Sequence, residues 1–293
     1  MSVAFDSNVT LTVEIAFDSN PLDSSQTYTD VSAFLRRFSI QRGRATNLSQ
    51  FNPGSATVVL DNRDNRFSPN QTTHYYDSTN NRSKVQPLKK IRIKAAFGGT
   101  TYIIFSGFVE NFPANYPGQG TDAEVKIKCI DAFKLFNNTT LDGFGWNLGI
   151  STLGVTTRLT LTQAQELSSV RVKNILDSFG YSEQQISTGQ LEVQVQPSTD
   201  TVLAALRAVE LAENGTFFIA ADGKATFRDR NFRLTNTTTP SATFGQGVGE
   251  LNYVDIKSSF DDDKIVNTVQ RTRTGGSKQT AVSSDSVDRF GSN

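Results

Sequence analysis

Phe51-Asn52-Pro53-Gly54-Ser55-Ala56-Thr57-Val58-Val59-Leu60-Asp61-Asn62-Arg63-Asp64-Asn65-Arg66-Phe67-Ser68-Pro69 is the stretch whose reading decides the fold. Asn52-Pro53-Gly54 predicts a turn, because proline presets φ and glycine accepts positive φ. Ala56 to Leu60, rich in β-branched residues, predicts a strand. Asp61 to Asn65 predicts a tight loop in which Asx side chains bond their own backbone. Phe67 returns to the core, and Ser68-Pro69 opens another turn. Nothing in the stretch is catalytic; it is a strand and a corner that set one sheet.

Working outward, Leu11 to Ala16 alternates as a strand and Val31 to Ile40 is a second apolar run. Val85 to Ala95 alternates clearly, with Ile91 and Ile93 set against Arg92 and Lys94. Gly98-Gly99 predicts a hairpin turn, answered by the strand Thr101 to Phe108. Phe112 to Gly120 reads as a loop, Ala123 to Asp131 as a strand and Ala132 to Phe136 as a short helical turn. Strands at this spacing, with scarcely a helix, predict a barrel or sandwich.

Past residue 140 the pattern changes. Thr139 to Thr160 is a Gly/Thr-rich connector. Ser168 or Ser169 is placed to cap a helix Val170 to Phe179, whose Val172, Ile175, Leu176 and Phe179 share one face, with Gly180 as its stop. Leu191 to Val195 reads as a strand. Ser198 or Thr199 opens a second helix that runs to Glu213 and ends at Asn214-Gly215. Thr216 to Ala221 and Lys224 to Arg228 form a hairpin around Asp222-Gly223. Thr235 to Pro240 is a linker. Val254 to Ile256 and Ile265 to Thr272 predict further strands around a Gly275-Gly276 turn. The fold class is therefore mainly β with an inserted α+β domain. A β-barrel or sandwich spans 1–140, a linker plus α+β domain 141–233, and the start of a second β-barrel 234–293.

The chain of 293 residues has zero formal net charge, so no global field draws it to nucleic acid or an anionic membrane. One cysteine, Cys129, excludes an internal disulfide and a multi-cysteine zinc site, and alternation places it in the core. One histidine, His74, lies in a polar loop beside Tyr75 and Tyr76 without the partners that catalysis or metal binding needs. Asp261-Asp262-Asp263 and the Asp61 to Asn65 loop lack the calcium-loop pattern. No nucleophile elbow or phosphate-binding loop occurs. No catalytic, cofactor or metal residue is assigned, and the chain is read as a non-enzyme. The N-terminus carries no signal-peptide pattern and no stretch reaches a membrane span, so synthesis in the cytosol is expected.

Two basic groups stand out. Arg36, Arg37, Arg42 and Arg44 form one; Lys89, Lys90, Arg92 and Lys94, with Arg82 and Lys84 beside them, form the other. They read either as an interface for an acidic neighbour or as the solvated face of a sheet. Charge reversal at Arg42 and Arg44 is expected to block assembly and leave the monomer folded.

Arg42-Gly43-Arg44, Phe51 to Gly54, Val58 to Asn62 and Arg66 to Pro69 resemble the opening domain of minor tail or baseplate hub (tail-tip) proteins of long-tailed bacteriophages. Tyr102 to Gly107 and Lys128 to Ala132 extend the likeness in this domain. Asn174 to Asp177, Gly180, Glu213 to Gly215, Asp222 to Lys224 and Phe227 to Arg230 extend it through the next. Ile265 to Asn267 and Ser286 to Gly291 resemble that family's start-of-domain pattern. The resemblance implies a structural virion component at the tail tip, assembled in the host cytoplasm. It implies a homotrimer whose two barrel-like domains per chain make a pseudo-sixfold ring. The ring caps the tail tube and connects it to the host-recognition apparatus. Implied partners are the tail tube or distal tail protein, the tape-measure protein and tail fibres, with DNA only passing through the bore. No cofactor is implied. The third domain looks cut short against this pattern. The alternative is a carbohydrate-binding adhesin of a tail tip or secreted β protein, using the Tyr75-Tyr76 and Phe112 to Gly118 loops as aromatic platforms; a hydrolase is the third reading.

Overall fold

The computed structural model describes residues 9–45, 49–97, 99–118, 121–140, 165–194, 201–232 and, with interruptions, 243–291. Its strands in chain order begin with β1 (Thr10–Ile15), β2 (Thr29–Asp30), β3 (Leu35–Gly43), β4 (Asn52–Asp61), β5 (Tyr76–Asp77) and β6 (Arg82–Ser83). β7 (Lys90–Phe97), β8 (Thr100–Asn111), β9 (Ala114–Asn115), β10 (Glu124–Ile130) and helix α1 (Phe133–Asn138) follow. Next come β11 (Glu166–Leu167), α2 (Ser168–Phe179), β12 (Gln184–Ile186), β13 (Glu192–Val193), α3 (Val202–Glu213), β14 (Thr216–Ile219) and β15 (Ala225–Arg228). The last elements are β16 (Thr268–Thr272), β17 (Lys278–Val282) and α4 (Ser284–Phe290). The chain divides into two compact units, Met1–Asn236 and Thr237–Asn293.

The first unit is built on an eight-stranded sheet in the order β2-β1-β7-β8-β10-β4-β3, with β9 paired to β10. All its pairings are antiparallel. Val13, Val58, Leu60, Ile91, Ile93, Phe105, Val125 and Ile127 alternate inward from β1, β4, β7, β8 and β10 and meet in one buried cluster, against which Leu35, Phe38 and Ile40 of β3 pack. A sheet whose strands all feed one core must curl around it. The chain passes from β2, at one end of the order, directly through the 3-10 turn Ser32–Phe34 into β3, at the other end. The two ends therefore lie side by side, although no ladder joins them among the described residues.

The α+β part has its own core. α2 and α3 pack over the sheet β12-β15-β14, in which β12 and β15 are parallel and β14 and β15 form the Asp222-Gly223 hairpin. Gly223 takes the left-handed φ of +94° that this turn requires. α2 and α3 end on Gly180 and Asn214 in the left-handed conformation, as their stop signals predict. Phe136 of α1 packs edge-on against Phe179 and Tyr181, so α1 plugs the sheet's end into this second core.

Several sequence expectations are corrected. Asn52-Pro53-Gly54 is not a turn but the start of β4, with Asn52 opposite Gly43. An irregularity in the β3 register between Gln41 and Gly43 accommodates a proline that has no N–H for the ladder. Ser168 does not cap α2; its hydroxyl donates to Glu213 instead, and the capping residue Leu167 makes no side-chain bond. Thr201 caps α3, accepting the N–H of Ala204 at 3.1 Å. The short strands β11 and β12 were not anticipated, and neither was helix α4. The connector past Thr140, the Ser198/Thr199 cap, the Thr235 to Pro240 linker, Val254 and Asp261 to Asp263 lie outside the described residues. Asp255 to Lys257 form no strand.

In the second unit β16 and β17 form an antiparallel hairpin, followed by α4. Val269 and Val282 on this hairpin are exposed. No helix among the described residues is long and apolar enough to cross a membrane.

Candidate functional site

The seam between the curled sheet and the α+β part gathers the polar groups of the first unit. Asp131 lies where β10 leaves the sheet. Its carboxylate accepts the N–H of Gly54 at 2.5 Å and of Phe133 at 3.0 Å, the second bond opening α1. Burial pushes this carboxyl up to about 6, against the opposing pull of those N–H groups and of Arg42 and Arg207. Gly54 is glycine for a steric reason: a Cβ there would stand 2.9 Å from the Asp131 carboxylate. Arg42, on β3, reaches across and donates to the Ile219 carbonyl of β14 at 2.8 Å. Phe51 and Phe218 stack with centroids 4.7 Å apart. Arg207 of α3 binds the Phe51 carbonyl on one side and Glu210 at 2.6 Å on the other. Lys90 of β7 is only 5% exposed and meets Glu183 at 2.5 Å. A cavity of about 200 Å³ opens here between Arg42, Asn52, Asp131 and Phe218.

The predicted basic residues fall mostly on partners within the chain. Arg36 pairs with Asp122 at 2.7 Å and Asp61 at 3.5 Å, and Arg37 with Glu124 at 3.2 Å. Arg44 lies over the Phe51 ring, 4.8 Å from its centroid. Arg92 and Lys94 converge on Glu14 of the neighbouring strand β1, Lys94 at 2.6 Å, and Arg92 also covers the Tyr28 ring. Lys89 donates to the Ser19 carbonyl at 3.1 Å. Lys90 and Arg42 belong to the seam. Many of these contacts are cross-strand or seam pairings, and the well exposed ion-paired side chains are Arg37, on Glu124, and Arg82, on Asp77. The seam's acidic partners Asp131, Glu183 and Glu210 went unassigned in the sequence. Asp131 carries a local signal, an acid directly after an alternating strand and before a Phe-rich helix. Glu183 carries none.

The two aromatic loops differ: Tyr75 packs on its neighbours, whereas Tyr116 is 47% exposed. Tyr75 stacks on Phe17 at 4.0 Å and on Phe67 at 5.7 Å. The Tyr116 hydroxyl donates to Asn65 at 2.7 Å and bonds Ser68, pinning its loop to the corner after β4. Asn62, fully buried, holds that corner by accepting the Phe67 N–H at 2.9 Å. His74 is exposed, and Cys129 is buried in the core, which pushes its thiol well above the ordinary range.

No family model matches this chain, and no curated protein matches it by sequence. Solved structures do. The tail protein from Neisseria meningitidis MC58 is 10% identical and superposes over 94% of this chain and 67% of its own, with a TM-score of 0.51. The 43 kDa tail protein of prophage MuSo2 from Shewanella oneidensis is 10% identical over 94% of this chain and 68% of its own, with a TM-score of 0.45. A chain of the Francisella PdpA-VgrG complex is 12% identical over 82% of this chain and 31% of its own, at 0.39. The first of these shows that this chain shares its fold with a tail protein. The resemblance to tail proteins found in the sequence is matched at that level.

Proposed function

We propose that this chain is a structural, non-enzymatic component of a phage-type tail, and that it forms the hub ring at the tail tip. In this reading three copies associate into a ring that caps the tail tube or distal tail protein. It meets the tape-measure protein in its bore and carries tail fibres outside. DNA passes through without being read. The protein is assembled in the host cytoplasm and resides in the virion. The observation that carries the reading is the superposition of nearly the whole chain on a tail protein. Its polar seam supports a scaffold role, because these charged groups are spent on one another rather than aimed at a ligand.

The experiment is light scattering of the purified chain over a range of concentrations, followed by sedimentation with purified tail tubes. A trimeric mass that co-sediments with the tubes is expected. A strict monomer that does not co-sediment overturns the reading.

A further inference from the structure

The hairpin β14–β15 has two unlike faces. Phe217, Ile219, Ala225 and Phe227 point into the second core, as alternation requires. Thr216, Phe218, Thr226 and Arg228 stand on the opposite face. A face that met only water would be polar throughout. Here it carries a stack instead. The Arg228 guanidinium lies over the Phe218 ring at 5.1 Å and over the Phe232 ring at 4.0 Å. Phe218 stacks on Phe51, and Arg44 lies over Phe51. Cation and ring therefore follow one another as Arg44, Phe51, Phe218, Arg228 and Phe232, from the β3–β4 connection to the segment after β15. All five are partly exposed. Phe51 and Phe218 also line the cavity of about 200 Å³, so the stack borders a recess.

Arg228 is the exception among the charges gathered near this seam. Arg42 donates to the Ile219 carbonyl, Arg207 to Glu210, and Arg230 to Glu213 at 3.1 Å. Among the described residues the Arg228 guanidinium meets rings alone, and no carboxylate or carbonyl takes its N–H groups. Burial holds this guanidinium below the ordinary arginine range, and no neighbouring acid opposes that pull. A ring engages a guanidinium through its flat face. The edge, where the N–H donors lie in a planar fork, is left over. Ring contact satisfies none of those donors, whereas a carboxylate takes two at once in a charge-assisted pair.

We propose that this stack is a docking point for an acidic segment of a partner protein, with one carboxylate of that segment seated on the edge of Arg228 and the adjoining residues covering Phe51 and Phe218. Charge complementarity selects the occupant: a partly desolvated cation without an acid of its own fits an anion. The rings beside it keep water from the pair, and aromatic residues with arginine at a water-excluding patch are the composition of interface hot spots. A nucleic-acid backbone fits less well. It repeats its charge along the strand and is held by rows of cations, whereas this chain has zero formal net charge. The inference is independent of the ring reading, since the stack lies within one chain.

A fluorescein-labelled oligo-glutamate peptide, titrated with the full chain at low ionic strength and followed by anisotropy, tests it. Saturable binding is expected. Arg228→Gln is expected to weaken it roughly tenfold or more, the worth of a charge-assisted pair. Arg228→Lys keeps a cation over the rings but has no fork, and is expected to weaken binding while leaving the melting temperature unchanged. Arg37→Gln, which removes another exposed cation, is expected to bind as the wild type does. A purely structural Arg228 would instead lower the melting temperature in both variants and leave the affinity unchanged, which overturns the proposal. Absence of saturable binding, or an equal loss in Arg37→Gln, overturns it too. So does tighter, Arg228-dependent binding of a labelled oligothymidylate, which would make the stack a nucleic-acid contact. None of these outcomes bears on co-sedimentation with tail tubes, so the two readings fail separately.

Discussion

Asp131 and Gly54 exchange two hydrogen bonds where β10 leaves β4: the Asp131 N–H donates to the Gly54 carbonyl at 2.9 Å, and the Asp131 carboxylate accepts the Gly54 N–H at 2.5 Å. A side chain thus completes the ladder one step after the main chain has turned into α1. It also puts a carboxyl in a site that disfavours its charge. In the fold this carboxyl titrates near 6 rather than at its ordinary 3.8. A raised carboxyl stabilises the fold fully below its unfolded value, and that contribution is lost as pH rises through 6. The gap is worth roughly 3 kcal/mol. The unfolding free energy of the wild type relative to Asp131→Asn should therefore fall by about that amount between pH 3.5 and pH 7.5. A difference that is flat with pH refutes the placement.

Glu213 behaves oppositely. Burial raises its carboxyl, but hydrogen bonds from Ser168, Arg230 and the N–H groups of Gln190 and Leu191 outweigh this and hold it below the ordinary range. Ser168 donates at 2.7 Å and the Leu191 N–H at 3.0 Å. One carboxylate thereby ties the end of α3 to the start of α2 and to the loop before β13. Glu213→Ala strands several buried donors and should cost about 3–5 kcal/mol in urea unfolding. A loss below ~1 kcal/mol would mean that the network is not formed.

Lys90 and Glu183 predict an asymmetry. Glu183→Ala leaves the nearly buried Lys90 ammonium without its carboxylate and should cost about 3 kcal/mol. Lys90→Met removes the charge and keeps the volume, and should cost less than half as much. Equal losses in the two variants, measured by denaturant unfolding, would contradict a buried Lys90 ammonium held by the partly exposed Glu183.

Arg42 and Arg37 separate folding from assembly. Arg42 is an exposed residue that donates to the Ile219 carbonyl, so Arg42→Glu should loosen the seam by about 1–1.5 kcal/mol, the worth of that one bond. Arg37, exposed on a surface ion pair, should tolerate Arg37→Glu within about 0.5 kcal/mol in thermal or urea unfolding. Any change in oligomeric mass in that variant then reports on an interface directly.

The sequence by itself determined the elements whose cause is local. Alternation at Ile91 and Ile93, turn residues at Asp222-Gly223 and the stop residues Gly180 and Asn214 each act within a few positions, and each is where the pattern puts it. It also determined the class, mainly β with an α+β insertion, because strand spacing and helical periodicity are properties of the chain alone. Tertiary structure decided whatever depends on a distant partner. Pro53 reads as a turn until β3 shifts register opposite it, and Ser168 reads as a cap until Glu213 takes its hydroxyl. The basic clusters read as an interface or a solvated face, and only the structure shows Glu14, Glu124 and Glu183 arriving from other strands and loops to pair with Lys94, Arg37 and Lys90. A charge's role is set by what faces it in space, and strand order, which sequence spacing does not encode, decides what faces it.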